Sequence, residues 1–435
     1  MERFALSRMK EWKENENRKP LIIRGARQVG KTWIMKTFGQ QYFEKTAYVN
    51  FDNNARMKQV FEGDLDIERL VLAISAETGV SIEAENTLII FDEIQEVPKA
   101  LTSLKYFHEN APQYAIVAAG SLLGVALHQG TSFPVGKVDF LDLYPLNFRE
   151  FLCAMGEKQF VSMLDSCDTQ MVTVFKTKYI ERLGEYYFVG GMPEVVKDFS
   201  EKKDYNRVRV IQKNLINYYQ QDFSKHAEIK LVPRLNLVWN SIPMQLAKEN
   251  KKYIYGQVRE GSRAKDFELA IQWLLDCGLI HKVQRIQKPD LPLKAYIDFD
   301  AFKLFLVDIG LLIAMTDLDA KVIIEGNKIF TEFKGALTEQ YILQQLISDV
   351  GVIPYYYSTQ NSKGEIDFLV QGKTSVIPIE VKAEENLKAK SLKAFCEKYQ
   401  PSYAVRTSMS DYREQDWMTN IPLYAIKWIE NYVNQ

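Results

Sequence analysis

The first 120 residues alternate between strand-like apolar runs and segments with helical periodicity. Two helices are predicted, at 33–38 directly after the first run and at 98–110, where proline suits the first turn and apolar residues recur at helical spacing. Strands that alternate with helices form a parallel sheet, and ligands bind at the carboxyl ends of its strands. The pattern predicts an α/β fold with strands at 21–23, 46–51, 87–91 and 114–119.

The middle of the chain has a different pattern. Residues 150–225 are mostly helical, and a Gly-Gly-Met-Pro turn at 190–193 interrupts them. Two further helices, 234–247 and 263–277, precede a strand at 279–283, which is the element order of a winged helix. The second of these helices carries Arg263, Lys265 and Asp266, so it is only weakly basic. Binding of DNA and binding of protein both remain open for this module.

The C-terminal pattern predicts a helix at 334–346, then strands at 364–370 and 375–382 joined by a short turn. Asp367 lies on the first strand, and Glu380 and Lys382 share one face of the second. If the strands pair as a hairpin, these three side chains converge. Glu339 lies on the preceding helix, and a basic helix with Lys388, Lys390 and Lys393 follows the hairpin.

Two other features are predicted to be structural. Asp308 lies in a dense apolar block, 303–312, where a helix cap or a buried polar anchor is expected. The run Tyr355-Tyr356-Tyr357 could stack on nucleic-acid bases, but the packing face of a strand is the favoured interpretation.

Composition narrows the class of protein without naming it. The chain has 435 residues, enough for several domains, and a formal net charge of -1, so it has no global basic field for nucleic acid. No apolar stretch is long enough for a transmembrane helix, and we expect no membrane contact. The four cysteines follow no metal spacing, which is typical of free thiols in a reducing cytoplasm. A cytoplasmic protein is therefore predicted.

The strongest chemical signal is a phosphate-binding loop after the first strand. The sequence Gly25-Ala26-Arg27-Gln28-Val29-Gly30-Lys31-Thr32 fits G-x-x-x-x-G-K-[ST] in a strand–loop–helix setting. Such a loop directs backbone N–H groups at phosphate oxygens, its lysine reaches the β- and γ-phosphates, and its hydroxyl binds Mg²⁺. We predict nucleotide contacts along this loop, from Gly25 to Thr32 and on to Trp33.

A second motif supplies the carboxylates that such a loop needs. The strand 87–91 ends in Asp92 and Glu93, the Walker B pattern. Asp92 is predicted to hold Mg²⁺ together with Thr32, and Glu93 to polarise the attacking water as a general base. Ser121 follows the next strand and is expected near the γ-phosphate. A plain turn is the alternative for Ser121.

With these residues the chain resembles the AAA+-type ATPases of bacteria and archaea that carry a C-terminal domain of unknown function. Further stretches that match are 120–121, 145–151 and the turn at 190–193. The resemblance covers nearly the whole chain and implies an AAA+ sheet domain with a helical lid, and ATP as the nucleotide. One departure is Lys137, where the family usually has an arginine; a lysine offers a point charge instead of a planar fork.

The C-terminal hairpin is similar to PD-(D/E)xK nucleases. The elements of this chain follow the order found in those nucleases: a helix with Glu339, a strand with Asp367, and a strand with Glu380-x-Lys382. The resemblance implies that the three carboxylates hold a second Mg²⁺, or Mn²⁺, and that Lys382 steadies the attacking water. A hairpin with a solvated charged face is the alternative.

Together these patterns predict an α/β protein with four domains. They are an AAA+-like P-loop domain (1–150), a helical lid (151–228), a winged-helix module (229–290) and a nuclease-like domain (291–435). We expect an ATPase whose C-terminal domain cleaves nucleic acid. The alternative is a nucleotide-switched signalling or scaffolding ATPase whose C-terminal domain binds DNA or protein without cleavage. RNA as a ligand and an oligomeric state stay open.

Overall fold

The computed structural model describes residues 1–120, 134–248, 251–324, 331–359, 364–384 and 389–435. Its contacts divide the chain into two compact units. The first, here called the P-loop unit, comprises Glu2–Tyr144 and Asp276–Leu279. The second, the C-terminal unit, comprises Pro145–Leu275 and Ile280–Gln435, together with Met1. In the described ranges, no helix combines the length and apolarity needed to cross a bilayer.

The P-loop unit is built on a five-stranded parallel sheet with the order β2-β3-β4-β1-β5. The central strands β3 and β4 are buried along their whole length, as is typical of a parallel sheet covered on both faces. The strands are β1 (Leu21–Arg24), β2 (Lys45–Asn50), β3 (Thr87–Asp92), β4 (Ala115–Ala119) and β5 (Asp139–Asp142). The helices are α1 (Ala5–Glu14), α2 (Lys31–Tyr42), α3 (Ala55–Glu62), α4 (Ile67–Thr78) and α5 (Pro98–Asn110).

The hydrophobic pattern located these elements well. The four predicted strands are confirmed, each within one residue at either end, and α5 begins and ends where the pattern predicts. Phe91 on β3 packs edge-on against Phe51 and Phe61, with ring centroids 5.5 and 5.7 Å apart. These rings help to fill the core around β3, the strand that carries Asp92 at its end.

The C-terminal unit begins with a long helical region, as predicted. Its helices up to residue 276 are α6 (Phe148–Ala154), α7 (Lys158–Asp165), α8 (Thr169–Val174), α9 (Lys176–Val189), α10 (Pro193–Lys202), α11 (Tyr205–His226), α12 (Val232–Leu246), α13 (Tyr255–Val258) and α14 (Ala264–Asp276). The later helices are α15 (Ile309–Met315), α16 (Ala320–Ile324), α17 (Thr331–Gln345), α18 (Lys390–Tyr399) and α19 (Glu430–Val433).

An eight-stranded mixed sheet completes this unit, in the order β12-β13-β11-β10-β9-β8-β6-β7. Its strands are β6 (Ile280–Ile286), β7 (Ile297–Leu306), β8 (Tyr355–Ser358), β9 (Glu365–Gln371), β10 (Val376–Val381), β11 (Val405–Ser408), β12 (Arg413–Glu414) and β13 (Thr419–Pro422). The helix–helix–strand order expected for a winged helix is present, but β6 pairs with β7 and β8 inside this larger sheet. The winged-helix module therefore stays a proposal.

Two of the matching stretches pack on each other in the C-terminal unit. The Leu146 N–H donates to the Gly191 carbonyl at 2.7 Å, and a Cβ on Gly191 would lie 2.1 Å from the Leu146 oxygen. Gly190 has a φ of +73°, and a Cβ there would lie 2.2 Å from Asp308. The Gly-Gly-Met-Pro turn therefore needs glycine because backbone and carboxylate approach it closely.

Asp308 has both of the predicted structural roles, because it caps a helix and is a buried polar anchor. Its carboxylate accepts from the Leu311 N–H at 3.1 Å, which caps α15, and from the Gly191 N–H at 2.6 Å. The residue is fully buried, and this burial raises the pKa of Asp308 to about 6. Its contacts give it a structural role.

Candidate functional site: the P-loop and its carboxylates

The loop between β1 and α2 has the tight backbone of a phosphate-binding loop. Gly25 has a φ of +147°, and a Cβ there would lie 2.1 Å from the Leu143 carbonyl oxygen, so only glycine fits. Gly30 precedes α2 with a φ of +94°, and Gln28 also has a positive φ, of +66°. The first N–H groups of α2 therefore face the loop, where an anion is stabilised.

Lys31 lies over this loop with its ammonium on backbone carbonyls. Its Nζ donates to Gly25 O at 2.9 Å and to Ala26 O at 2.8 Å. Burial lowers the pKa of Lys31 to about 8, although the negative charges of Glu93 and Asp92 act in the opposite direction. A phosphate group at the loop would favour the charged ammonium, because an opposite charge nearby raises a lysine pKa.

Thr32 and Asp92 meet in the structure, as the two motifs predict. The Thr32 hydroxyl donates to Asp92 Oδ2 at 2.7 Å, and Asp92 is only 3% exposed. A hydroxyl and a carboxylate are hard oxygen ligands, which suit Mg²⁺. These two side chains therefore fit the metal of a bound nucleotide.

Glu93 is oriented by its backbone and by a neighbour. It has a φ of +51°, which turns the chain sharply after β3, and its own N–H donates to Asp92 Oδ1 at 3.1 Å. The Gln95 side chain donates to Glu93 Oε2 at 2.7 Å and fixes one carboxylate oxygen. The stretch that matches the family, 91–95, includes Gln95, but the sequence alone indicated no role for this side chain.

Tyr48 is the other residue that the sequence did not indicate. Its hydroxyl donates to Asp92 Oδ2 at 2.9 Å, and its ring lies 3.8 Å from Lys36 Nζ, ring centre to nitrogen. Tyrosine on a strand usually signals packing, so the pattern alone gave no reason to select it.

The remaining predicted loop residues differ in exposure. Ala26 and Val29 are buried, Arg27 and Gly30 are half-buried, Gln28 is exposed, and Trp33 keeps 43% of its surface exposed. Ser121 lies outside the described residues, so its predicted role near the γ-phosphate stays a prediction. Lys137, the departure from the family pattern, forms a surface ion pair with Glu109 at 3.0 Å.

In the C-terminal unit the predicted hairpin is confirmed. Strands β9 and β10 pair antiparallel, with Phe368 opposite Ile379. Glu380 and Lys382 form an ion pair at 2.6 Å. Glu380 also accepts from the Leu392 N–H at 2.8 Å and so caps the first turn of α18. Asp367 accepts from the Val381 N–H at 2.7 Å.

The acidic groups of this region are paired with two lysines. Glu339 forms ion pairs with Lys251 and with Lys303, the latter at 3.5 Å, and Lys303 also pairs with Glu365. Lys303 is completely buried, which lowers a lysine pKa, but the charges of Glu339 and Glu365 outweigh burial and raise the pKa of Lys303 above the usual lysine value. Burial, followed by the charge of Glu339, raises the pKa of Asp367 to about 7. We call Lys251, Lys303, Glu339, Glu365 and Asp367 the lysine–carboxylate cluster.

This arrangement does not fit a bound divalent cation. Within the described ranges, no group of three or more histidine, cysteine, aspartate or glutamate side chains is placed to hold a metal ion. The lysine ammoniums already neutralise Glu339. Glu380 accepts a hydrogen bond from the first turn of α18 and forms an ion pair with Lys382. The predicted second metal on Glu339, Asp367 and Glu380 therefore stays a hypothesis without geometric support. Lys388 lies outside the described residues, whereas Lys390 and Lys393 are exposed.

Comparison with known families assigns three segments of the chain. Residues 17–152 match the family described as "AAA domain". Residues 180–322 and 334–426 match two domains of unknown function, DUF8612 and DUF4143. No curated protein gives a match.

Several solved structures are similar over much of the chain at low identity. The Walker-type ATPase PABY2304 of Pyrococcus abyssi is 15% identical, with a TM-score of 0.44, over 72% of this chain and 95% of that protein. The ORC1 protein of Aeropyrum pernix, solved in complex with DNA, is 14% identical, with a TM-score of 0.27, over 72% and 91%.

The family match and the geometry agree on the N-terminal region. The parallel sheet carries the phosphate-binding loop after β1 and two carboxylates at the end of β3. Residues 17–152 are thus similar to an AAA domain, and this part of the chain has the fold of a P-loop ATPase.

Proposed function

We propose that the P-loop unit binds ATP with Mg²⁺ and hydrolyses it. The observation that carries this proposal is the 2.7 Å hydrogen bond between Asp92 and Thr32, the residue that follows Lys31 in sequence. The Lys31 ammonium lies on the loop carbonyls of Gly25 and Ala26. The two motifs are separated by 60 residues in sequence, and the sheet brings them together as a nucleotide site requires.

The side chains divide the chemistry between them. The loop N–H groups and Lys31 bind the phosphates, and Thr32 and Asp92 would hold Mg²⁺. When bound, this ion neutralises charge that develops on the phosphate oxygens. Glu93, held by Gln95 at 2.7 Å, orients a water molecule and takes up its proton.

Lys31→Ala is expected to weaken nucleotide binding at least tenfold. Charge-assisted hydrogen bonds contribute about 1.5–3 kcal/mol each, and the loop offers no second ammonium at this position. The measurement is titration with a fluorescent ATP analogue in Mg²⁺. Lys105→Ala, an exposed change on α5, is the matched control and should bind as the wild type does. Equal affinity of Lys31→Ala and wild type would refute the P-loop site.

For the C-terminal unit we propose binding without cleavage. Two structural facts favour this alternative over a nuclease. The charge of Glu339 is neutralised by lysines, and Glu380 caps α18. Exposed Lys390 and Lys393 at the start of α18 offer contacts to a nucleic-acid backbone or to an acidic protein surface.

We expect labelled single- and double-stranded DNA and RNA to stay intact with Mg²⁺ or Mn²⁺, with or without ATP. The same probes measure binding by mobility shift at two salt concentrations, where Lys390→Glu/Lys393→Glu should bind more weakly than wild type. Metal-dependent cleavage that disappears in Asp367→Ala/Lys382→Ala would overturn this proposal and restore the nuclease hypothesis.

The four-domain division, a cytoplasmic location and an oligomeric state also remain proposals. All four cysteines are free in the structure, which agrees with a reducing compartment. The DUF8612 match runs through the proposed boundaries at 228 and 290. Contacts with DNA, RNA or other proteins need the binding experiments above.

A further inference from the structure

We propose that Tyr48 is a positioning residue for Asp92 and sets how tightly the nucleotide site takes up Mg²⁺. The inference rests on the proposed ATPase function. The Tyr48 hydroxyl donates to Asp92 Oδ2 at 2.9 Å, and this is the same oxygen that accepts from Thr32 at 2.7 Å. Tyr48 thus contacts one of the two side chains that fit the metal, without belonging to either motif.

The sheet places Tyr48 there by register. Strands β2 and β3 pair in parallel, with Tyr48 beside Ile90 and Asn50 beside Asp92. Side chains two positions apart on a strand lie on one face, so Tyr48 shares the face of Asp92. The distance between these strands is short enough for the phenol to span it. A one-residue shift of this register would move Tyr48 to the other face.

The tyrosine ring is itself held in place. Lys36 on α2 lies with its Nζ 3.8 Å from the ring centre, a cation–π contact. The same helix begins at Lys31 and Thr32, so the ring packs against the element that carries the phosphate-binding residues. Tyr48 therefore links α2 to the carboxylate at the end of β3.

A buried carboxylate needs donors to keep a single orientation. Asp92 is 3% exposed; Thr32 and Tyr48 donate to its Oδ2, and the Glu93 N–H donates to its Oδ1. Metal binding would engage the Thr32 oxygen, whereas the Tyr48 hydroxyl can keep its bond to Oδ2. A tyrosine hydroxyl is protonated at neutral pH, so Tyr48 can donate to Asp92 there.

Tyr48→Phe removes this hydroxyl and keeps the ring. Loss of a side chain that orients a metal ligand typically lowers metal affinity or activity 10- to 100-fold. We expect about tenfold more Mg²⁺ to be needed for half-maximal hydrolysis. The maximal rate at saturating Mg²⁺ should change less.

Binding of a fluorescent ATP analogue gives a readout that does not depend on hydrolysis. Mg²⁺ should tighten this binding less in Tyr48→Phe than in wild type, while the affinity measured in EDTA stays the same. A merely structural role would weaken binding equally in both conditions. Lys36→Met, which keeps the hydroxyl but loosens the ring, should lie between wild type and Tyr48→Phe.

Tyr106→Phe on α5 is the control and should show the wild-type response to Mg²⁺. An unchanged Mg²⁺ response in Tyr48→Phe would overturn the inference, and so would an equal loss of binding in EDTA. A wild type that binds the analogue in a Mg²⁺-dependent way but never hydrolyses ATP would refute the proposed ATPase. In that case the binding experiment still decides the role of Tyr48.

Discussion

Glu93→Gln should bind ATP as the wild type does and hydrolyse it about 100- to 10,000-fold more slowly. A general base contributes a factor of this size, and glutamine keeps the shape of the side chain but cannot take up a proton. The Lys31 ammonium and the Thr32–Asp92 pair stay in place. Phosphate release under single-turnover conditions measures the chemical step, and a fluorescent ATP analogue measures binding.

Glu96→Gln is the matched control for this prediction. Glu96 ends the short 3₁₀ segment Ile94–Glu96, which directly follows Glu93, and it is exposed to solvent. Its variant should hydrolyse ATP at the wild-type rate. Undiminished phosphate release by Glu93→Gln would remove Glu93 from the chemistry. Loss of ATP binding in that variant would instead give Glu93 a role in shaping the loop.

The proposed nucleotide site was largely predictable because its residues lie in contiguous motifs. A phosphate-binding loop needs glycines at fixed offsets, and the structure gives Gly25 and Gly30 the positive φ that only such residues adopt easily. The carboxylates follow a buried apolar strand, so the sequence placed Asp92 and Glu93 at the carboxyl end of β3, where the structure has them. Tyr48 could not be predicted, because its hydrogen bond to Asp92 depends on the register between β2 and β3.

The C-terminal cluster could not be predicted in the same way. The sequence correctly indicated the hairpin that carries Asp367 and Glu380, because period-two alternation is local. It gave no sign that Lys303 on β7 and Lys251 would reach Glu339, since those contacts join residues 36 and 88 positions apart. Carboxylates that resemble a metal site in sequence are therefore paired with ammoniums in the fold.

Lys303→Met should destabilise the C-terminal unit by about 3–5 kcal/mol at pH 8. Removing one partner from a buried ion pair leaves the other charges without compensation. Glu339, Glu365 and Asp367 would then face each other with Lys251 alone. Urea unfolding, together with hydrogen exchange of β7 and β9, measures the loss. Lys294→Met, an exposed change in the same unit, is the control and should have little effect.

The pH dependence of this loss identifies its cause. Burial alone would raise the pKa of Glu339, but Lys251 and Lys303 outweigh it and lower this pKa. The stability that the ion pairs of Glu339 contribute is therefore present at neutral pH and lost as the pH falls through the lowered pKa. The pKa of Asp367 is raised to about 7, so its protonated form is favoured below that pH. A protonated carboxyl group is neutral and needs no ammonium to compensate it. The loss in free energy of unfolding that Lys303→Met causes should therefore shrink between pH 8 and pH 5.

A double variant distinguishes charge from packing. Lys303→Met/Glu365→Gln removes one charge of each sign, and replacing both partners of a buried pair costs far less than removing one. The double variant should recover part of the stability that Lys303→Met loses.

Mg²⁺ or Mn²⁺ should stabilise Lys303→Met more than wild type, because the lysine then no longer neutralises the carboxylates. In this cluster the lysine takes the place that a metal ion would have. Two results would contradict that interpretation: equal stability of Lys303→Met and wild type at pH 8, or stabilisation of the wild type alone by metal.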